Sequence, residues 1–301
     1  MKLKSMHPVV ITLLSAFFIL LACAPQKPDW TPVLTAEYKH AVNYAGFINE
    51  RQGITIGYAG ATFFTSDAGA SWQAAAAGTT WCRYGLDMLS GGPYWDCGVF
   101  EAVTSTDNGK TWRPLERTGT REPEHTRYLS FVDAQNGFIA TIHNVKMTEN
   151  GGINWKTAIA LPGDVKTIAA LAAFPAAHAI GLLVMDAEGR LWSSEDKGAG
   201  WKELSSPVTG KLMNVLDSDA PLVAMRFDNT GTGIIAANVK TAEGIRCAVY
   251  RTSDSGNTWK EELVGPQEKY GNVFLSPDWK YLTVVYTTNN KLSVFKNQSD
   301  G

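Results

Sequence analysis

The chain is poor in cysteine, in charge and in metal-ligand spacing. Four cysteines among 301 residues do not make a disulfide-dense scaffold. Charged residues are 19% of the total and the formal charge is −2, so there is no basic face for a nucleic-acid backbone, and nucleic acid is not an expected partner. The five histidines, His7, His40, His125, His143 and His178, are scattered without the spacing of a metal site. No Gly-x-Ser-x-Gly elbow and no phosphate-cradling glycine loop occurs. No cofactor is therefore expected. What is present is apolar bulk: 45% hydrophobic residues suffice for a core, in one large all-β domain or two smaller ones.

An octapeptide recurs. It reads TSDAGASW (65–72), STDNGKTW (105–112), TENGGINW (148–155), SEDKGAGW (194–201) and TSDSGNTW (252–259). The shared form is Ser/Thr-x-Asp/Asn-x-Gly-x-x-Trp. Asp67, Asp107, Asn150, Asp196 and Asp254 can accept N–H groups of their own turn, and Gly69, Gly109, Gly152, Gly198 and Gly256 can turn left-handed without steric cost. Trp72, Trp112, Trp155, Trp201 and Trp259 then open the next strand and cover an apolar layer. The octapeptide is expected to be a hairpin turn, not a catalytic loop.

A second mark lies upstream of each copy, and once more at Phe274 without a copy after it: an apolar residue followed by a polar turn that in most copies contains glycine. Phe47, Leu86, Phe131, Phe174, Phe227 and Phe274 carry it, spaced by 39, 45, 43, 53 and 47 residues. Six units of that length predict an all-β, six-bladed β-propeller of four-stranded antiparallel blades over residues 30–301. After Phe274 only three strands fit, so the segment around Trp30 is expected to supply the outer strand of the last blade and close the ring. A seventh blade would need about 40 more residues.

The octapeptides resemble the Asp-box, or BNR, repeats of sialidases, xyloglucan-degrading enzymes and the photosystem II stability/assembly factor-like propellers. The segment FVDAQNGFIATIHNVKMTENGGINW is most similar to the assembly-factor group, which implies a non-catalytic scaffold that binds a protein partner. The resemblance also places the boxes between third and fourth strands, on the face away from any active site. A sialidase would need an arginine in a Phe-Arg-Ile-Pro-like segment before the first box. The only arginine before Trp72 is Arg51, in a turn on the box face. A glycoside hydrolase or sugar-binding module, with a glycan as ligand, is the alternative reading.

Residues 1–22 have the anatomy of a secretory signal: Lys2 and Lys4, then the apolar run 9–21, too short to span a bilayer as a helix. The stretch LLAC (20–23) resembles the lipobox of bacterial lipoproteins. It implies cleavage before Cys23, lipidation of its thiol, and a short linker over 23–29. Ala24 resembles an outer-membrane sorting residue, so an exported lipoprotein of the envelope is expected, membrane-held through its lipid. Loss of Lys2 and Lys4 and no acid leaves 25 basic and 29 acidic residues, a formal charge of −4.

Recognition is expected on the face opposite the boxes, in loops held by a rigid ring. Two adjacent loops carry most candidates: Trp81, Arg83 and Tyr84 in one, Arg117, Arg121, His125 and Arg127 in the other. Arg246 and Tyr270 are placed on the same face. Arginines among aromatics suit a carboxylate-bearing partner. Cys82 and Cys97 flank a turn and are expected to face each other across two strands as a disulfide. Cys247 is expected to be a buried thiol.

Overall fold

A computed structural model of the chain describes residues 28–38, 42–99, 101–115, 126–156, 159–163, 165–176, 179–208, 211–212, 223–228, 230–242, 244–265, 272–286 and 290–298. The strand β1 (Trp30–Glu37) belongs to the last blade. Blade one is β2 (Val42–Phe47), β3 (Gly53–Gly57), β4 (Thr62–Thr65) and β5 (Gln73–Ala74). Blade two is β6 (Arg83–Met88), β7 (Tyr94–Gly98), β8 (Ala102–Ser105) and β9 (Arg113–Pro114). Blade three has β10 (Tyr128–Phe131), β11 (Gly137–Ala140) and β12 (Val145–Thr148), with Ile159 bridged to Val145 in the place of a fourth strand. Blade four is β13 (Ile168–Pro175), β14 (Ile180–Asp186), β15 (Leu191–Ser194) and β16 (Lys202–Leu204).

Blade five adds a short strand to the usual four. Its β17 (Lys211–Leu212) and β18 (Val223–Phe227) both pair with the long β19 (Gly233–Thr241), followed by β20 (Gly244–Thr252) and β21 (Lys260–Glu262). Blade six is β22 (Asn272–Leu275), β23 (Tyr281–Tyr286) and β24 (Lys291–Asn297), completed by β1. The six innermost strands, β2, β6, β10, β13, β18 and β22, touch one another in that order and back to β2. This is a closed, all-antiparallel six-bladed β-propeller.

Closure uses the residues near Trp30, as the sequence predicts. β1 pairs antiparallel with β24 from Trp30 opposite Asn297 to Glu37 opposite Lys291. Trp30 also ties in blade five: its backbone N–H donates to Leu263 O at 3.0 Å, and its carbonyl accepts Gly265 N–H at 2.7 Å. Its indole, fully buried, donates to Glu262 Oε2 at 2.6 Å. The amino-terminal strand thus pairs with the carboxy-terminal one and ties the two ends of the ring together.

The two sequence marks meet in space. Phe47, Phe131, Phe174 and Phe227 each sit opposite a glycine of the second strand, Gly53, Gly137, Gly181 and Gly233. A Cβ on any of these glycines would come within 2.2–2.7 Å of the ring, so glycine is required by close approach. The same rings meet the octapeptide tryptophan edge to face: Phe47 with Trp72 at 6.1 Å, Phe131 with Trp155 at 6.3 Å, Phe227 with Trp259 at 5.8 Å. Such pairs add about 1 kcal/mol each beyond the area they bury. Leu86 follows another rule: it faces Asp96, and Trp95 stacks on Phe131 of blade three at 3.6 Å.

The octapeptides are turns between third and fourth strands, built alike. The hydroxyls of Thr65, Ser105, Thr148, Ser194 and Thr252 accept the N–H of the box glycine at 2.8–3.0 Å. The side chains of Asp67, Asp107, Asn150, Asp196 and Asp254 accept the N–H four residues on at 2.8–2.9 Å. Hydrogen bonds from Ser71 and Thr258, led by their hydroxyls at 2.6 Å, lower the Asp67 and Asp254 carboxyls to about 2. The glycine has φ of 76–91° in all five copies, and the residue before it is left-handed too: Ala68, Asn108, Gly151, Lys197 and Ser255. Four of those are not glycine and cost roughly 1–2 kcal/mol each, offset by the repeated side-chain caps.

Candidate functional site

On the face opposite the octapeptides, three of the expected residues come together. Trp81 is 43% exposed and Tyr58, at the end of blade one, is 48% exposed. Their segments are joined by the Gly60 N–H donating to Trp81 O at 2.9 Å. Tyr84 follows on β6, and the half-buried Arg127 guanidinium lies over its ring at 5.4 Å. Burial, with Cys82 and Tyr58 nearby, raises the Tyr84 phenol, while Arg127 pulls it down. The patch is thus aromatic with one cation, a composition common at protein-binding hot spots.

Other expected members are elsewhere. Arg83 is buried, not presented: it is 1% exposed, its Nε is 3.0 Å from Asp96 Oδ1 and its Nη2 2.6 Å from Asp96 Oδ2. A strand residue pointing inward cannot join the exposed Trp81 on the rim, and the acid on the adjacent strand β7 neutralises it. Burial pushes the Asp96 carboxyl up to about 7, with Arg83 pulling the other way. Arg246 is on the expected face but ion-paired with Glu261. Arg117, Arg121, His125 and Tyr270, like Cys23, lie outside the described residues.

The expected disulfide is absent. Cys82, Cys97 and Cys247 are all free. A register shift between Arg83 and Gly85 sets Cys97 opposite Gly85, while the Cys82 carbonyl accepts the N–H of Val99 at 3.0 Å. The two thiols are out of step along the strands and cannot meet. Cys247 is buried, and burial drives its thiol up to about 12.

The axis of the ring holds a feature that no motif announced. Asp87 on β6 and Arg226 on β18 belong to opposite blades, two and five, and form an ion pair across the centre. Asp87 also accepts the N–H of Phe131 at 2.7 Å from blade three. Arg226 donates through Nε to Leu275 O at 3.0 Å and lies 5.8 Å from the Phe274 ring of blade six. Four blades are thereby pinned together. The space left beside them, bordered by Tyr44, Arg127 and Ser130, is about 50 Å³, room for a few waters. Single charges inside apolar strands, YGLDML and AMRF, were the available signal for this pair.

The four buried acids among the described residues are each held by an arginine: Asp87 by Arg226, Asp96 by Arg83, Asp186 by Arg190 and Glu262 by Arg251. Among the described residues no three His, Cys, Asp or Glu side chains group as metal ligands do.

No family model matches the chain, and no curated protein sequence matches it. Solved structures match by fold. The structure of YCF48 bound to D1 peptide is 13% identical at a TM-score of 0.54, covering 90% of this chain and 96% of that one. U3-55K is 11% identical at 0.58, covering 88% and 100%. An ancestral GH74 enzyme is 14% identical at 0.51, with 85% of this chain matched to 36% of that enzyme. The class shared with all three is the β-propeller.

Proposed function

We propose that the protein is a non-catalytic, envelope-anchored propeller scaffold that binds a segment of a protein partner on the face opposite the octapeptides. The observation that carries this reading is the patch of Tyr58, Trp81 and Tyr84 with Arg127, which no described acid pairs. A guanidinium on an aromatic bed, without a carboxylate of its own, is set to take one from a peptide. YCF48 bound to D1 peptide lends this fold a peptide-binding precedent. In the same reading residues 1–22 are removed, Cys23 is acylated, and residues 23–29 tether the ring to the membrane.

The carbohydrate-active alternative draws on the GH74 neighbour. Against it stand the arginine pairing of every described buried acid and the small central space. Glycoside hydrolysis needs one carboxyl free to protonate and another free to attack or to activate water.

Photo-crosslinking in cell envelopes tests the proposal. A crosslinking residue at Trp81 should yield a defined protein adduct that Arg127→Ala abolishes. The same residue at Ile153, 60% exposed at an octapeptide, should yield none. Identical adducts from both positions would overturn the assignment of the face. For the anchor, Cys23→Ser should release the protein from membranes; retention would refute acylation.

A further inference from the structure

The amino-terminal strand enters the ring on the octapeptide face. In five blades the third strand ends where an octapeptide begins, at Thr65, Ser105, Thr148, Ser194 and Thr252. In blade six the third strand, β24, ends at Asn297, and Trp30 pairs with it, so β1 starts at that same face. Asp29 is fixed there from two sides. Its carboxylate accepts the Leu263 N–H at 2.7 Å from blade five, and its carbonyl accepts the Gln298 N–H at 2.7 Å from blade six. The chain before Asp29 therefore leaves from the seam between these two blades, on the side away from Arg127.

Chain length limits where a lipid on Cys23 can sit. Six peptide units separate Cys23 from Asp29, and fully extended they span at most about 22 Å. The longest innermost strand, β13, has eight residues and rises about 26 Å, and turns add to the height of the ring at both ends. A tether of this length cannot carry Cys23 from one face round to the other.

Exposed apolar side chains are distributed to match. Tyr58 and Trp81 belong to the recognition patch, and Ile153 stands on an octapeptide. Val33 and Leu263, 42% and 44% exposed, flank the exit of the tether: Leu263 is bonded to Asp29, and the bulge in β1 leaves Val33 out of register. Apolar groups beside a lipidated terminus suit the headgroup boundary of a bilayer.

We propose that the acylated protein stands with its octapeptide side against the bilayer, at the seam of blades five and six, and with the Arg127 face turned away. The inference rests on the acylation of Cys23 proposed above. It specifies the partner: the bound segment is presented from the aqueous space beyond the ring, not from the surface of the bilayer that holds the anchor.

Energy transfer in vesicles tests the orientation. The acylated protein, in a Cys82→Ser background, carries one donor dye through Ser253→Cys or Ala242→Cys and is reconstituted with phosphatidylethanolamine, phosphatidylglycerol and a headgroup-labelled acceptor lipid. Both positions are exposed and lie beyond opposite ends of β20, Ser253 on an octapeptide and Ala242 at the tip of the β19–β20 hairpin. Transfer from Ser253 should be at least about twice that from Ala242, since β20 holds the two dyes at different heights. A Gly/Ser spacer of about 20 residues inserted before Pro28 should narrow the difference, because such a tether reaches either face. Equal transfer, a greater transfer from Ala242, or a difference that the spacer leaves unchanged would overturn the orientation while the protein still sediments with the vesicles. Failure to sediment with them would overturn the acylation, and the orientation with it.

Discussion

The two faces of the ring are made by opposite rules. On the octapeptide face the same hydroxyl, carboxylate or carboxamide, and glycine recur five times with contacts equal to within 0.2 Å. On the other face the described residues of the first three blades differ: one offers Tyr58, another Trp81 and Tyr84, the next Arg127. Repetition marks backbone bookkeeping, because a tight turn has the same orphan N–H groups wherever it occurs. Divergence marks what the turns were built to hold.

The sharpest way to break the comparison is to remove what lies under the divergent face. Asp96→Ala leaves the buried Arg83 guanidinium without its carboxylate. The expected loss of stability is about 3–5 kcal/mol, read from the urea midpoint. Replacing both residues by leucine should recover most of it, because desolvation then disappears with the charge. A loss below about 1 kcal/mol would mean that the pair is solvated and that the face lacks a rigid base.

How much of this was legible follows from what repetition can encode. Six blades, the closure through Trp30 and the turn chemistry were all readable, since each rests on local patterns that recur. Strand register is not local in that sense. The shift at Arg83/Gly85 turned an expected disulfide into two separate thiols and an expected rim arginine into a buried one. The Asp87–Arg226 pair joins residues 139 positions apart, and no spacing rule connects opposite blades. Tyr58 was passed over because a single tyrosine after a glycine-bounded strand carries no pattern.

A smaller effect should mark the repeated face. In the folded chain the Asp67 and Asp254 carboxyls are held to about 2 by Ser71 and Thr258, below the roughly 3.9 of a free aspartate. The folded state therefore favours the ionised form. Stability from these groups is complete above about pH 4 and is lost as pH falls toward 2. Asp67→Asn with Asp254→Asn should be less stable than the parent at pH 7 and equal to it near pH 2. Blade three already uses Asn150, whose oxygen accepts the Asn154 N–H at 2.9 Å, so the turns should still form. Binding of the protein partner should not change; if it does, the octapeptides take part in recognition.

The smallest effect expected concerns the cysteines, and it bears on how the divergent face is held. With Cys23 replaced by serine, three thiols remain, and only Cys82 is partly exposed. A disulfide reagent should modify one thiol per molecule in the native state and three after unfolding. Burial raises the Cys97 and Cys247 thiols, so their thiolate forms are scarce as well as shielded. Reducing agent should leave thermal stability unchanged. A protein with no native reactive thiol and a reductant-sensitive melt would put a covalent bond between Cys82 and Cys97. That bond would require a register two residues from the one seen between Arg83 and Gly98, and such a shift would leave Arg83 on its buried face.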